Sequence, residues 1–65
     1  MPRGRVTDFD EHVGLGHVVD DTGATLLFHC VEIADGTRTI PVGQAVEFDL
    51  LRKFGQDEAS NLRPA

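Results

Sequence analysis

Hydrophobic side chains alternate with polar ones at a spacing of two in several parts of this chain, most clearly over 25–30 and 45–51. A period of two is typical of β-strands that bury one face. No helical spacing of apolar residues persists for three turns. The pattern predicts strands near residues 3–10, 14–20, 25–30, 45–51 and 58–63, with one helical turn around Val31 to Ile33 in the long connection 31–44.

Turn-forming residues separate these predicted strands, at 20–23, 34–36, 41–43 and 54–57. Short strands in an open sheet leave unpaired edges, and closing the sheet removes them. The predicted fold class is therefore all-β: a single domain, residues 1–65, forming a small closed five-stranded antiparallel barrel. The alternation also predicts the core residues: Val6, Val18, Leu26, Phe28, Ile33, Ile40, Val46, Phe48, Leu50 and Leu62.

Glycines stand on both sides of Leu15, at positions 14 and 16, although glycine normally weakens a strand. Their placement predicts a strongly coiled strand or a close approach of backbone at a corner of the barrel.

Length and composition narrow the class of function. A chain of 65 residues buries only about 60% of its unfolded surface, too little for both a core and a deep active-site cavity. We therefore expect a binding module that is not an enzyme and uses no cofactor. The single cysteine, Cys30, excludes an internal disulfide framework and is typical of a reducing compartment. The start of the chain lacks the apolar run of a signal peptide, and no stretch is long enough to span a bilayer, so the expected location is the cytoplasm, away from membranes.

Several short motifs follow one another in a fixed order along the chain. They are Thr7-Asp8-Phe9-Asp10, Val13-Gly14-Leu15-Gly16-His17-Val18, Leu26-Leu27-Phe28-His29-Cys30, Gly36-Thr37-Arg38-Thr39 and Ala59-Ser60-Asn61-Leu62. In this order and spacing, over residues 4 to 63, the chain resembles the cold-shock domain family, whose members are small OB-fold barrels. The resemblance implies an OB-fold and binding of single-stranded RNA or DNA.

In that family, bases stack on aromatic side chains that point outward from the strands carrying these motifs. The positions of this chain that match the family's nucleic-acid-binding residues are Phe9, Leu15, His17, Leu27, His29, Cys30 and Arg38. Most of them are not aromatic, and Asp8 stands where the family has tryptophan. Each base–aromatic stack is worth about 1–3 kcal/mol, so losing five or six of them nominally removes about 5–18 kcal/mol. This loss is comparable with or above a whole micromolar binding energy of about 8 kcal/mol.

The charge of the chain, like the missing aromatic rings, indicates weak binding of nucleic acid. The formal net charge is -5, and the lysines of the family motifs are replaced by Thr7 and Val13. Cationic contacts with phosphates supply much of the affinity of nucleic-acid binders. The sequence therefore predicts weak or atypical affinity for single-stranded RNA or DNA.

An alternative function uses the same surface in a different way. Leu15 and Leu27 are expected to project outward side by side, with Asp8 at their border. A contiguous exposed apolar patch often marks a protein interface. The alternative is therefore a protein-interaction module in which this face binds a protein partner or forms a homodimer.

A third interpretation assigns metal or thiol chemistry to His17, His29 and Cys30. The chain lacks the tight CxxC or HxxxH spacing that makes a zinc site specific, so no metal site is predicted. His29 and Cys30 are adjacent in sequence, and adjacent strand residues point to opposite faces. They are therefore poorly placed to act as base and nucleophile.

Overall fold

Five strands and one short 3₁₀ turn make up the structure, a computed structural model that describes residues 2–34, 36, 39–53 and 55–65. The strands are β1 (Arg3–Asp10), β2 (Leu15–Asp20), β3 (Thr25–His29), β4 (Ala45–Lys53) and β5 (Gln56–Pro64), and the 3₁₀ turn is Cys30–Glu32. All five predicted strands and the helical turn are confirmed, with ends displaced by at most two residues. Over the described residues, no helix has the length and apolar character needed to cross a membrane.

The strands close into a barrel in the order β1-β2-β3-β5-β4. Strand β4 lies between the first and last strands, because Val46 is opposite Gly4 of β1 on one side and Pro64 of β5 on the other. The all-β five-stranded closed barrel is confirmed. One seam, β3–β5, is parallel and the other four are antiparallel. A closed ring with an odd number of strands cannot alternate in direction at every seam, so at least one parallel pair is required.

Two bulges change the phase of the side-chain alternation. In β1, Thr7 is an extra residue between the pairs that Val6 and Asp8 make with β2. In β5, two residues, 61 and 62, stand against a single residue of β4, and Asn61 has a left-handed φ of 52°. Asparagine adopts this conformation more readily than most residues, and a bulge bends its strand. These bends help the short strands to curve around the barrel.

The core fills the barrel and follows most of the predicted set. The buried apolar residues are Val6, Val18, Leu26, Phe28, Ile33, Val46, Phe48, Ala59 and Leu62, with Phe9 and Ile40 packed against them. The prediction was wrong for Leu50, which is 55% exposed. Leu50 is paired with Ala59, so both side chains lie on the same face of the sheet. At this pair, the short side chain of Ala59 is buried and the longer side chain of Leu50 is exposed to solvent. Alternation predicts which face a residue occupies and does not predict whether that face is covered.

The close backbone approach predicted at the glycines is confirmed at Gly16. A Cβ at this position would lie 2.5 Å from Cζ of Phe28 and 2.7 Å from the carbonyl oxygen of Asp8. The missing side chain leaves room for Phe9 of β1 to stack on Phe28 of β3 across β2, with ring centroids 5.7 Å apart and planes 2° from parallel. Gly14 precedes β2 and has a φ of +79°, which suits the turn between β1 and β2.

Candidate nucleic-acid interface

Two rows of side chains cross the outer surface of β1, β2 and β3. Asp8, His17 and Leu27 form the first row, because His17 is paired with both of the others. In the second row, Leu15 is paired with Asp10 on β1 and with His29 on β3. The residues between these positions on β2 and β3 are buried, so both rows point away from the core. We call these six residues the β1–β3 face.

Leucine and histidine alternate at the centre of this face. Leu15 stands opposite His29, and His17 stands opposite Leu27. All four side chains are half-buried and project outward, as the alternation predicted. The two leucines are therefore diagonal neighbours instead of directly opposite, with an imidazole beside each of them. The centre of the face offers a mixed surface of apolar and polar groups, without aromatic rings larger than imidazole.

Each of the two histidines has a carboxylate on a neighbouring strand. Nδ1 of His17 lies 2.7 Å from Oδ1 of Asp8, a hydrogen-bond distance. Nε2 of His29 lies 3.7 Å from Oε1 of Glu58, which belongs to β5. Glu58 is only 8% exposed and lies beside Leu27 at the parallel seam. The closure of the barrel by β5 therefore places a carboxylate at the edge of the face.

The turn between β1 and β2 is held by Asp10. Its carboxylate accepts hydrogen bonds from the backbone N–H groups of His12 (2.9 Å) and Val13 (3.3 Å). Its carbonyl oxygen accepts a hydrogen bond from the N–H of Gly14 at 2.7 Å. This local bonding is typical of aspartate in turns, and it fixes the end of the face where the two strands connect.

Two predicted site residues, Phe9 and Cys30, lie elsewhere than on the outward rows. Phe9 is half-buried and packs against the core, because the Thr7 bulge turns it to the inner side. Cys30 lies in the 3₁₀ turn beneath the β1–β2 connection, and its N–H donates to the carbonyl oxygen of Gly14 at 2.8 Å. Arg38 lies outside the described residues. The structure therefore places four of the seven predicted residues, Leu15, His17, Leu27 and His29, together on one surface.

His17 borders two open concavities of the surface. One, of about 640 Å³, extends from His17 toward Leu15 and the β1–β2 turn. The other, of about 470 Å³, extends toward Leu27 and Asp57 at the start of β5. An extended chain that followed these concavities would pass directly over His17.

A protein-family model described as the 'Cold-shock' DNA-binding domain matches residues 2–65. The chain belongs to the cold-shock domain family. It is also similar to a cold shock-like protein of Aquifex aeolicus (strain VF5), with 35% identity over 63 residues that cover 94% of this chain and 90% of the relative. Cold-shock domains generally bind nucleic acid, which agrees with the resemblance found in the motifs.

The β1–β3 face contains no lysine or arginine, although nucleic-acid-binding surfaces usually carry a basic patch. Strands β2 and β3 contain no lysine or arginine, and β1 contributes Asp8 and Asp10 to the face. The arginines of β1, Arg3 and Arg5, lie on its first half, where Arg3 pairs with Glu47 of β4 at 3.6 Å. Only the two histidines of the face can become cationic.

Sequence reasoning did not assign a site role to the acidic residues Asp57 and Glu58. Their positions next to the face depend on pairings of β5 with strands that are distant in sequence. The one available signal was the Asp57-Glu58 pair, which replaces neutral residues of the family pattern. Among the residues that the structure describes, no group of three or more His, Cys, Asp or Glu side chains is arranged to hold a metal ion.

Proposed function

We propose that this cold-shock domain binds single-stranded RNA or DNA weakly across the β1–β3 face, through contacts other than aromatic stacking. The observation that carries the proposal is the outward, half-exposed arrangement of Leu15, His17, Leu27 and His29 on adjacent strands. These residues occupy the positions at which the family motifs meet bases. Leucine side chains can still make apolar contact with a base, and imidazole is a small aromatic platform.

The expected affinity follows from what the face has lost. Each missing base–aromatic stack removes about 1–3 kcal/mol. Few cationic contacts are available to compensate, since β2 and β3 carry none. We therefore expect a binding free energy of about 4 kcal/mol or less near neutral pH, which corresponds to a Kd of about 1 mM or weaker. The dependence of affinity on salt is expected to be shallow, near −0.7 in log–log slope for each phosphate contact with a single strand.

The test is an NMR titration of the protein with oligo(dT) at low salt, at pH 7.5 and at pH 5.5. We expect saturable shifts of the backbone amides of residues 15–17 and 27–29. Amides near Leu50, on the exposed part of β4, serve as the internal control and are expected not to move. Absence of saturable shifts up to millimolar strand at both pH values would contradict the proposal, as would shifts confined to other strands.

A second candidate function is the binding of a protein partner or of a second copy of the chain. The observation in its favour is the pair of half-buried leucines on the outer surface, with Val13 64% exposed in the preceding turn. Sedimentation velocity at increasing protein concentration tests self-association directly. A monomer at all concentrations, together with saturable shifts in oligo(dT), supports nucleic-acid binding against a homodimer.

A further inference from the structure

The hydrogen bond between Asp8 and His17 determines which imidazole nitrogen faces a ligand. An ionised carboxylate can only accept hydrogen bonds, so Nδ1 of a neutral His17 carries the hydrogen and donates it in a hydrogen bond to Oδ1 of Asp8. The other nitrogen, Nε2, then holds a lone pair and cannot donate to an anion. Protonation of the ring converts Nε2 into a donor and adds a positive charge.

We propose that His17 and His29, in their protonated form, are the groups that bind phosphates at the β1–β3 face, so that nucleic-acid binding takes up protons. This inference rests on the proposed function. It assigns the phosphate contacts to His17 and His29 and makes them depend on protonation of these two rings. Histidine as a residue type is the usual switch of charge between pH 5 and 8, and this range sets the pH values of the test.

The position of the two rings suits this role. Both histidine side chains are 43% exposed, so each ring can reach a ligand, while the backbone of each histidine is held in a strand. They stand on adjacent strands, each opposite a leucine of the other strand. If a phosphate contacts either ring, the base of the same nucleotide would lie beside Leu15 or Leu27. These leucines supply apolar contact with the base. No arginine or lysine of β2 or β3 competes for this task, since neither strand has one.

Several charged groups face His17 from the neighbouring elements. Asp8 of β1 is bonded to it, and Asp57 of β5 borders the same concavity. Asp57 is itself paired with Arg52 of β4 at 3.4 Å. On the other side, the β1–β2 turn contributes Glu11 and His12 to the concavity that His17 lines. The surroundings are mainly acidic, so a neutral His17 leaves a surface that repels phosphate.

His29 has a similar environment. Glu58 of β5 lies 3.7 Å from its Nε2, beyond hydrogen-bond range but close enough to attract the protonated ring. Asp10 belongs to the same row on β1, with Leu15 between them. Glu32 follows in the 3₁₀ turn, where its carboxylate accepts a hydrogen bond from the N–H of Asn61 at 3.4 Å. Protonation of His29 therefore offsets local negative charge in the same way as protonation of His17.

The expected effect is large enough to measure. A surface ion pair contributes up to about 1 kcal/mol, which is about fivefold in affinity for each histidine. Two histidines give about 25-fold tighter binding at pH 5.5 than at pH 7.5. Two additional phosphate contacts also make the log–log salt slope at pH 5.5 steeper by about 1.4 than at pH 7.5. The salt slope is measured on the natural protein and does not depend on any variant.

The experiment measures the affinity of the full chain for fluorescent oligo(dT) by anisotropy, at pH 5.5, 6.5 and 7.5 and three salt concentrations. Thymine has no group that titrates in this window, so the protein supplies any pH dependence. A parallel strand with an uncharged methylphosphonate backbone separates phosphate contacts from base contacts. We expect the pH effect to disappear with this strand.

The variants are the double substitution His17→Gln with His29→Gln, and Arg5→Gln as the control, an exposed cation of β1 outside the face. Glutamine stays neutral at all three pH values, so the double variant is expected to bind equally at pH 5.5 and 7.5, while Arg5→Gln keeps the rise with falling pH. Equal affinity of the natural protein at both pH values would overturn this inference and leave the proposed function intact. So would a pH effect that survives in the double variant or on the uncharged strand. Absence of binding at every pH would overturn the proposed function itself.

Discussion

Restoring aromatic rings at Leu15 and Leu27 is the most direct test of how this face binds nucleic acid. Both leucines are half-buried on the outer surface of β2 and β3, so Leu15→Phe and Leu27→Phe enlarge the ligand-facing surface without entering the core. A base–aromatic stack is worth about 1–3 kcal/mol relative to alanine. Leucine already supplies part of the apolar contact, so we assign about half of that value to each ring.

The double variant is therefore expected to bind oligo(dT) more tightly by about 1–3 kcal/mol, which is about 5- to 150-fold in Kd. Fluorescence anisotropy at constant pH and salt measures the change. Stacking adds no phosphate contact, so the salt slope is expected to stay the same as in the natural protein. An increase in affinity with an unchanged slope assigns the gain to stacking.

Leu50→Phe is the matched control, because Leu50 is an exposed leucine on β4 that does not belong to the face. It is expected to leave the affinity unchanged. If the folded double variant binds no more tightly than the natural protein, the β1–β3 face is not where the bases lie. An equal gain from Leu50→Phe would show that added hydrophobicity, and not the position of the ring, causes the effect.

Three further predictions concern stability and are measured by urea unfolding. Gly16→Ala is expected to destabilise the fold by about 3 kcal/mol or more, because the new Cβ would lie 2.7 Å from the carbonyl oxygen of Asp8. This oxygen belongs to the backbone of β1 and cannot easily move away. A loss of stability below about 1 kcal/mol would show that the barrel is less tightly packed than described. Asn61→Val is expected to cost about 1–2 kcal/mol because of its left-handed φ of 52°, whereas Asn61→Gly costs less; equal losses would exclude backbone strain as the cause. The pKa of Asp20 lies below its ordinary value of 3.8 because the Thr22 hydroxyl and backbone N–H groups donate to its carboxylate. A carboxylate with a lowered pKa stabilises the fold at pH values above its ordinary pKa. The loss of stability caused by Asp20→Ala is therefore expected to be greatest above about pH 4 and to shrink as the pH falls further. A loss of stability that is independent of pH would contradict this assignment.

The strand faces of β2 and β3 could be predicted from the sequence because regular alternation applies to both. Leu15, His17, Leu27 and His29 point outward, and Val18 and Phe28 fill the core. The family resemblance added the OB-fold and the proposed role of this surface. Local pattern and motif order therefore account for the centre of the face.

The bulges explain most of what was not predicted. The Thr7 bulge puts two inward residues, Val6 and Phe9, three positions apart, and the Asn61 bulge does the same for Ala59 and Leu62. Apolar residues three apart inside a strand are the signal that a strict period of two overlooks. The contact between Glu58 and His29 left no such signal, since it depends on the pairing of β3 with β5.

The position of β4 between the first and last strands has a consequence for synthesis on the ribosome. Gly4 and Pro64 flank the same residue, Val46, so strands from both ends of the sequence must be present before the ring of strands is complete. Folding that waits for contacts distant in sequence is slow, and the edges of β3 and β4 stay unpaired until β5 is available. A nascent chain of this protein is therefore expected to acquire protease resistance only after β5 has left the exit tunnel.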